Sequence, residues 1–225
     1  MRFLDAAADL LLLGACPGCD TPGRGVCRVC VSAIMGGRIG PRHREGIDVP
    51  LWSAGDYAGP VARAITQAKD HHRWDAIDLL GTRLAFAVAG LADALGLTGP
   101  GVLVPFPSRV ASVRARGLDF TYMLARNCLT KLRLVGVETS VTRLLTHVRT
   151  VQDQAELTSH ERKLNLSGSL EAAYPHVRGW IVVVDDVVTT GASLSEAIRA
   201  MTVKHCPPVG CTTIAATKDL PSINP

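Results

Sequence analysis

Residues 181–193 read Ile-Val-Val-Val-Asp-Asp-Val-Val-Thr-Thr-Gly-Ala-Ser, and this stretch decides the fold. A continuous apolar run that ends in two acidic residues, Asp185 and Asp186, is typical of a buried central strand in a parallel sheet. The small hydroxylated residues after it and the helical pattern over 192–204 predict a strand, a turn and a helix in succession. Ligands of open α/β sheets bind where such strands end, so the two acids are candidate ligand-binding residues.

The rest of the chain alternates in the same way between apolar runs and helical patterns. The sequence predicts helices over 1–13, 60–95 (in two pieces joined around 71–74) and 117–133, strands over 49–59, 102–104 and 210–217, and loops over 105–116 and 143–166. Strands that alternate with helices predict an α/β fold, a mainly parallel twisted sheet flanked by helices. We expect a helix and a cysteine-rich segment over 1–48, and the sheet domain over 49–225.

Length and composition are those of a folded chain. Its 225 residues are 47% hydrophobic and 20% charged, with a mean hydropathy of +0.20, which excludes disorder over most of the chain. No apolar run approaches the length of a membrane-spanning helix. Leu10–Leu13 resemble the core of a signal peptide, but Asp5 and Asp9 interrupt it, so an amphipathic helix is the preferred interpretation. We therefore expect a cytoplasmic protein without membrane insertion.

The positive charge is concentrated in one part of the chain. The formal net charge is +4, and residues 101–150 hold eight basic residues against two acidic ones. Residues 1–100 are balanced, and residues 151–225 carry a slight acidic excess. A local excess of this kind indicates an anionic ligand better than a uniformly basic surface would.

Four of the seven cysteines form two Cys-x-x-Cys pairs: Cys16 with Cys19, and Cys27 with Cys30. Each pair can place two thiolates on one turn, and two such turns can hold Zn²⁺ tetrahedrally. Four sulfur ligands leave no open position, so the metal would be structural. The alternatives are four unligated thiols or a redox-active pair, and the odd number of cysteines argues against a disulfide framework.

The turn after the acidic pair has the composition of an anion site. Backbone N–H groups at the start of a helix attract phosphate, and Thr189, Thr190 and Ser193 add hydroxyl donors. Gly191 lets the chain approach a ligand closely. Two carboxylates beside a phosphate site are explained if they accept hydrogen bonds from sugar hydroxyls or help to hold Mg²⁺, so we expect a ribose phosphate. The alternative is a buried strand whose acids cap the following helix.

This segment resembles the phosphoribosyl pyrophosphate motif of type I phosphoribosyltransferases, which implies a ligand held by Asp185, Asp186, Thr189, Thr190, Gly191, Ala192 and Ser193. The chain is also similar to the ComF family, phosphoribosyltransferase-like proteins linked to natural competence. The likeness rests on the cysteine pairs, Pro105-Phe-Pro107 with Arg114-x-Arg116-Gly117, the stretch Arg149-Thr150 through Gln154 to Arg162 and Asn165, and Asp185–Ser193. One departure is Asp119-Phe120, where family members commonly have Asn-Gln.

The resemblance implies a type I phosphoribosyltransferase fold with a small N-terminal zinc-binding segment. The loop of Pro105, Phe106, Pro107 and Ser108 would meet the pyrophosphate through backbone N–H groups. Arg114 and Arg116 would lie on a mobile loop that closes over it, although a solvated surface charge is the alternative for each. Lys69 would reach a phosphate, with a solvated lysine as the alternative. We expect His71-His72 to lie on the surface, because adjacent side chains on regular elements diverge.

Two functions from different classes follow. The first is a phosphoribosyltransferase that uses Mg²⁺ and passes the phosphoribosyl group to an unknown nitrogen acceptor. The second is a non-catalytic module that binds phosphoribosyl pyrophosphate or single-stranded DNA and serves DNA uptake. The sequence identifies no general base, since Thr189 stands where some purine-salvage relatives have an acid. The ten aromatic residues are few for a nucleic-acid stacking platform.

Overall fold

The computed structural model describes residues 14–71, 73–149, 165–174 and 178–218. The helices in this part of the chain are α1 (Arg28–Met35), α2 (Gly59–Asp70), α3 (Trp74–Ala94), α4 (Val110–Arg116), α5 (Phe120–Leu134) and α6 (Ala192–Val203). The strands are β1 (Gly40–Arg42), β2 (Leu51–Ser53), β3 (Gly101–Pro105), β4 (Thr139–Val141), β5 (Leu145–His147), β6 (Leu170–Ala172), β7 (Trp180–Val188) and β8 (Gly210–Ala216).

Six of these strands form one sheet, in the order β1-β2-β8-β7-β3-β4. All neighbours pair in parallel except β1 and β2, which are antiparallel. The apolar run of β7 lies at the centre of the sheet, between β3 and β8, as its composition predicts. The expected fold class, a mainly parallel sheet flanked by helices, is therefore confirmed.

The sheet is buried on both faces. Alternation along β7 sends Val182 and Val184 into a core with helices α2, α3 and α5, and sends Ile181 and Val183 into a second core with α6. The second core also includes residues of a separate two-stranded antiparallel sheet, β5 with β6. Because both faces are covered, ligands reach the sheet only at its edges and at its strand ends.

Two predicted loops contain regular structure. The prediction of a loop over 105–116 is wrong for the second half of this range, which forms α4. Gly117, with φ 65°, ends this helix. The predicted helix 117–133 therefore starts late, at Phe120, after the N-cap residue Asp119. The loop expected over 143–166 begins with β5, whose partner β6 was not predicted. Residues 150–164, like the helix expected over 1–13, lie outside the described residues.

The N-terminal segment joins the sheet before residue 48. β1 pairs with β2, and the buried Arg83 of α3 donates hydrogen bonds to the carbonyl oxygens of Met35 and Gly37 at the end of α1. The division of the chain at residue 48 stays a prediction. None of the described helices is both long and apolar enough to cross a membrane.

Candidate functional site

The two acids lie near the carboxyl end of β7, and both are buried, with 8% of Asp185 and 7% of Asp186 exposed. The N–H of Asp186 donates to Oδ1 of Asp185 at 2.8 Å, and the N–H of Val187 donates to Oδ1 of Asp186 at 2.7 Å. Neither acid caps the next helix, because α6 begins after Gly191 without a side-chain hydrogen bond at its cap. The observed contacts therefore do not support the helix-capping interpretation of the acids.

Lys69, in the last turn of α2, forms an ion pair with Oδ2 of Asp186. Its ammonium nitrogen also lies 5.6 Å from the centre of the Phe120 ring. Burial works to lower the pKa of Lys69, but attraction to Asp186 and the hydrogen bond to it outweigh burial, so the pKa is raised. The lysine is thus held as a cation against one acid, whereas the sequence predicts a contact with a phosphate.

The folded protein disfavours the ionised form of Asp185. Burial, followed by repulsion from Asp186, raises the pKa of Asp185 well above its usual range. A second cation or a set of hydroxyl donors would offset this cost, because each favours the ionised carboxylate. Carboxylate oxygens are also the ligands that Mg²⁺ prefers. The residues present therefore fit Mg²⁺ bound together with a sugar phosphate.

The turn from β7 to α6 forms one wall of a small depression. Asp185 and residues 187–194 line it. Gly191 adopts φ 85°, a left-handed conformation that glycine accepts without strain, and the N–H of Ala192 donates to Oγ1 of Thr190 at 3.4 Å. No described backbone carbonyl accepts a hydrogen bond from the N–H groups of Thr190, Gly191 or Ser193. Unpaired N–H groups at a helix start are the donors that an anion requires.

Arg44, which sequence reasoning missed, lies behind this turn. Its guanidinium is buried and donates to the carbonyl oxygens of Thr189, at 2.6 Å, and of Thr217. A Cβ atom on Gly191 would come within 3.0 Å of Cβ of Arg44 and 2.9 Å of Cδ1 of Ile47. Glycine is therefore required here by the packing of the protein itself. No local sequence signal marks Arg44, since its contacts are long-range.

The loop after β3 has fewer free donors than predicted. Pro105 and Pro107 have no N–H, and the N–H of Phe106 donates to the carbonyl oxygen of Val184 at 2.8 Å. This leaves the N–H of Ser108 as the backbone donor of the predicted pyrophosphate loop. The loop follows the end of β3, where Pro105 pairs with Val184, next to Asp185.

The departure Asp119-Phe120 has a structural explanation. Asp119 caps α5 by accepting from the N–H of Tyr122 at 3.3 Å, and its carboxylate accepts from the Ser108 hydroxyl at 3.0 Å. Phe120 is buried in the core. The two residues thus fix the start of α5 and hold the loop after β3 against it.

Arg114 and Arg116 lie in the last turn of α4 and not on a loop. Arg114 is exposed, whereas Arg116 is half-buried and its Nε donates to the carbonyl oxygen of Ser112 at 3.3 Å. Repulsion from Arg116 works to lower the pKa of Lys69, a smaller effect than that of Asp186.

One histidine, His147, contacts the loop after β3. Nε2 of His147 lies 3.0 Å from the carbonyl oxygen of Pro107, and the imidazole contacts the Phe106 ring edge-on, with centroids 6.0 Å apart. Arg149 donates to the carbonyl oxygens of Asn165 and Ser167. Gln154 and Arg162 lie outside the described residues, as does His72, and His71 is exposed as predicted.

The four N-terminal cysteines form a cluster apart from the acidic pair. The sulfur atoms of Cys16, Cys19, Cys27 and Cys30 lie within 4.8 Å of one another. The N–H groups of Gly18 and Cys27 point at the sulfur of Cys16, at 3.4 and 3.3 Å. These hydrogen bonds favour a thiolate, and four thiolates at this spacing fit the ligand set of a structural Zn²⁺.

Comparison with known proteins gives distant similarities. No family model matches the chain. The DNA utilization protein YhgH of Escherichia coli (strain K12) is 29% identical over 151 residues, which cover 67% of this chain and 65% of that protein. YhgH of Salmonella typhi is 28% identical with the same coverage. The chain therefore matches slightly less than two thirds of the length of these curated relatives.

Solved structures resemble the chain weakly. A hypoxanthine phosphoribosyl transferase of Trypanosoma cruzi superposes with a TM-score of 0.38 and 15% identity, covering 66% of this chain and 70% of that one. A hypoxanthine-guanine phosphoribosyl transferase of L. donovani gives a TM-score of 0.35 and 19% identity over 63% and 67% of the two chains.

Proposed function

We propose that the depression between β7 and α6 binds phosphoribosyl pyrophosphate with Mg²⁺, and that the protein transfers the phosphoribosyl group to a nitrogen acceptor. The observation that carries the proposal is the buried pair Asp185 and Asp186 on β7, which is followed after two residues by a turn in which the N–H groups of Thr190, Gly191 and Ser193 have no described backbone acceptor. A pair of carboxylates next to an anion site is costly in a ligand-free protein. A ligand with a diol and a phosphate on one sugar offsets this cost, because its hydroxyls donate to the carboxylates and its phosphate accepts from the N–H groups of the turn.

Each part of the ligand has a complementary set of residues. Asp185 and Asp186 accept hydrogen bonds from the ribose hydroxyls, and the turn of Thr189, Thr190, Gly191, Ala192 and Ser193 donates to the 5-phosphate. The N–H of Ser108 donates to the pyrophosphate, with Arg114 and Arg116 adding charge from α4. Lys69 forms an ion pair with Asp186. Mg²⁺, when bound, neutralises charge on the pyrophosphate.

The reaction is a displacement at the anomeric carbon. The lone pair of the acceptor nitrogen forms the new bond, the bond from that carbon to the pyrophosphate oxygen breaks, and pyrophosphate leaves with the electron pair. The protein orients the two reactants and stabilises the leaving charge. No side chain is assigned as general base.

A second candidate function is a non-catalytic module that binds phosphoribosyl pyrophosphate or single-stranded DNA. The name of the YhgH relatives, DNA utilization protein, favours it, together with the basic excess over 101–150. Residues that bind the backbone of DNA and those that bind pyrophosphate are of the same kind. In this case the protein serves DNA uptake in the cytoplasm without entering the membrane.

One assay separates the two functions. Purified protein is mixed with phosphoribosyl pyrophosphate, Mg²⁺ and a panel of nitrogenous bases, and pyrophosphate release is followed. A transferase releases pyrophosphate with at least one base, and the double variant Asp185→Asn/Asp186→Asn does not. Absence of release across the panel, together with salt-dependent binding of a labelled oligonucleotide, contradicts the transferase and supports the DNA-binding module.

We also propose that the cysteine cluster holds one structural Zn²⁺ through Cys16, Cys19, Cys27 and Cys30. The support is the convergence of the four sulfur atoms and the N–H groups directed at Cys16. The metal would tie residues 16–30 into one unit at the start of α1.

A further inference from the structure

We propose that Arg44 is a positioning residue that presents the N–H of Thr190 to the 5-phosphate of the ligand. The inference rests on the proposed function and deepens it by assigning a role to a residue outside the strand-turn-helix segment. It starts from one contact, the hydrogen bond from Nε of Arg44 to the carbonyl oxygen of Thr189 at 2.6 Å.

The planar peptide bond converts this contact into an orientation. The carbonyl of Thr189 and the N–H of Thr190 belong to the same trans peptide unit, so they point in opposite directions. Arg44 does not line the depression, whereas Thr189 and Thr190 do. A guanidinium that holds the carbonyl on the far side therefore turns the N–H of Thr190 toward the depression, where it has no described backbone acceptor.

The position of Arg44 is fixed by contacts independent of the turn. Its guanidinium also donates to the carbonyl oxygens of His43 and of Thr217, just after β8. The Thr217 N–H in turn donates to the carbonyl oxygen of Val188, the last residue of β7. The arginine thus links the end of β8 to the start of the turn. A side chain held at several points orients its partner more strictly than one held at a single point.

Close packing around Gly191 keeps the segment with Arg44 against the turn. The missing side chain of Gly191 lets Arg44 and Ile47 approach its Cα from one side, at distances that a Cβ atom would not allow. The hydroxyl of Ser195, in the first turn of α6, donates to the carbonyl oxygen of Gly46. This second tie joins the same segment to the helix without touching the peptide of Thr189.

The charge of Arg44 adds to the orientation. A buried guanidinium behind the turn lies in a medium of lower dielectric constant than water, so its attraction for an anion on the other side is less screened. Orientation and charge can be separated by substitution. Lysine keeps the charge but lacks the planar fork that reaches two carbonyl groups at once, and glutamine loses the charge.

The test titrates wild type, Arg44→Gln, Arg44→Lys and Ser195→Ala with ribose 5-phosphate and, separately, with inorganic pyrophosphate in the presence of Mg²⁺. We expect Arg44→Gln to weaken ribose 5-phosphate binding about tenfold, the size of one lost charge-assisted hydrogen bond, with a smaller loss for Arg44→Lys. Pyrophosphate affinity should be unchanged in both. Ser195→Ala, the matched control, should lose stability through its lost tie to Gly46 but no affinity.

A second measurement does not depend on the folding of any variant. In ¹⁵N-labelled wild type, the Thr190 amide should be among the resonances that move most when ribose 5-phosphate is added. Equal affinities for wild type and Arg44→Gln, or an unmoved Thr190 amide in a protein that binds ribose 5-phosphate, would overturn the role of Arg44 alone. A wild type that binds neither probe would overturn the proposed function as well.

Discussion

Lys69 at the end of α2 and Asp186 at the end of β7 form an ion pair in which a third of the lysine side chain and a tenth of the aspartate side chain are exposed. The pair joins two elements that are far apart in the sequence. Lys69 also attracts the neighbouring acid, Asp185, but burial and repulsion from Asp186 outweigh this attraction, so the pKa of Asp185 is raised.

Loss of Lys69 should destabilise the protein through Asp186. Lys69→Met leaves a buried carboxylate unpaired, and we expect a loss of about 1–3 kcal/mol in the free energy of unfolding, below the value for a fully buried pair because the lysine is partly exposed. Chemical denaturation of the single variants and of Lys69→Met/Asp186→Asn measures the coupling.

The control for this experiment is an exposed pair. Lys131 contacts Asp78, whose side chain is 60% exposed, so Lys131→Met should cost at most about 1 kcal/mol. In the double variant, removal of the acid should restore part of the stability that Lys69→Met loses. Additive losses would show that the pair contributes nothing as a pair.

Asp185→Asn should stabilise the protein at neutral pH. The folded state raises the pKa of Asp185 above its unfolded value, so the folded protein binds its proton more tightly, and stability falls as pH rises through the window from the unfolded pKa to the folded pKa. Asparagine does not ionise and escapes this loss. Melting curves should show a higher Tm than wild type at pH 7 and an equal Tm near the unfolded pKa, about 4.

Asp78→Asn should show the opposite sign. The hydrogen bond from Lys131 lowers the pKa of Asp78, so this acid contributes stability above its unfolded pKa, and that contribution is lost as pH falls through the folded pKa. Its asparagine variant should therefore melt below wild type at pH 7. A lower Tm for Asp185→Asn at pH 7 would contradict the conclusion that burial and repulsion from Asp186 destabilise the ionised form of Asp185.

Metal content tests the cysteine cluster. Protein purified without chelators should contain about one Zn²⁺ per chain by elemental analysis, and Cys19→Ser should lose the metal and solubility while the sheet still forms. Cys206→Ala is the control, since Cys206 is buried against α6 and away from the cluster, and it should keep the metal. Wild-type protein without stoichiometric metal would refute the assignment.

Gly191 should tolerate alanine worse than a glycine of similar backbone conformation elsewhere. Gly136 has φ 79° and open space around its missing side chain. Gly136→Ala should therefore lower the free energy of unfolding only by the cost of a left-handed backbone conformation, about 1–2 kcal/mol. Gly191→Ala adds the clash with Ile47 and Arg44 and should lose clearly more. If denaturation experiments gave equal losses in the free energy of unfolding for the two variants, the segment with Arg44 would be able to move away from the added methyl group without destabilising the protein.

The sequence predicts the architecture well because the decisive signals are local. The apolar run of β7, its two acids and the small residues of the turn are consecutive, so their pattern alone predicts a central strand, a turn and a helix. The cysteine cluster is local in the same sense. The short helix α4 was missed, since its few apolar positions contribute no buried residue to the core.

What the sequence does not predict depends on contacts between distant segments. Arg44 meets Thr189 across 145 positions, and the pairing of Lys69 with Asp186 needs α2 to lie over the end of β7. The N–H of Phe106 donates to the carbonyl oxygen of Val184 because β3 and β7 are neighbours in the sheet. Hydrogen bonds of this kind change which donors remain for a ligand, and no local pattern shows them.

The central claim is that the acidic pair and its turn bind a ribose phosphate, and calorimetric titration with phosphoribosyl pyrophosphate and Mg²⁺ tests it most directly. Wild type should release or absorb heat and saturate, whereas Asp185→Asn/Asp186→Asn should bind at least about tenfold more weakly while its melting curve stays cooperative. Wild type without heat or thermal shift at millimolar ligand, or a double variant that binds as tightly as wild type, would contradict the claim.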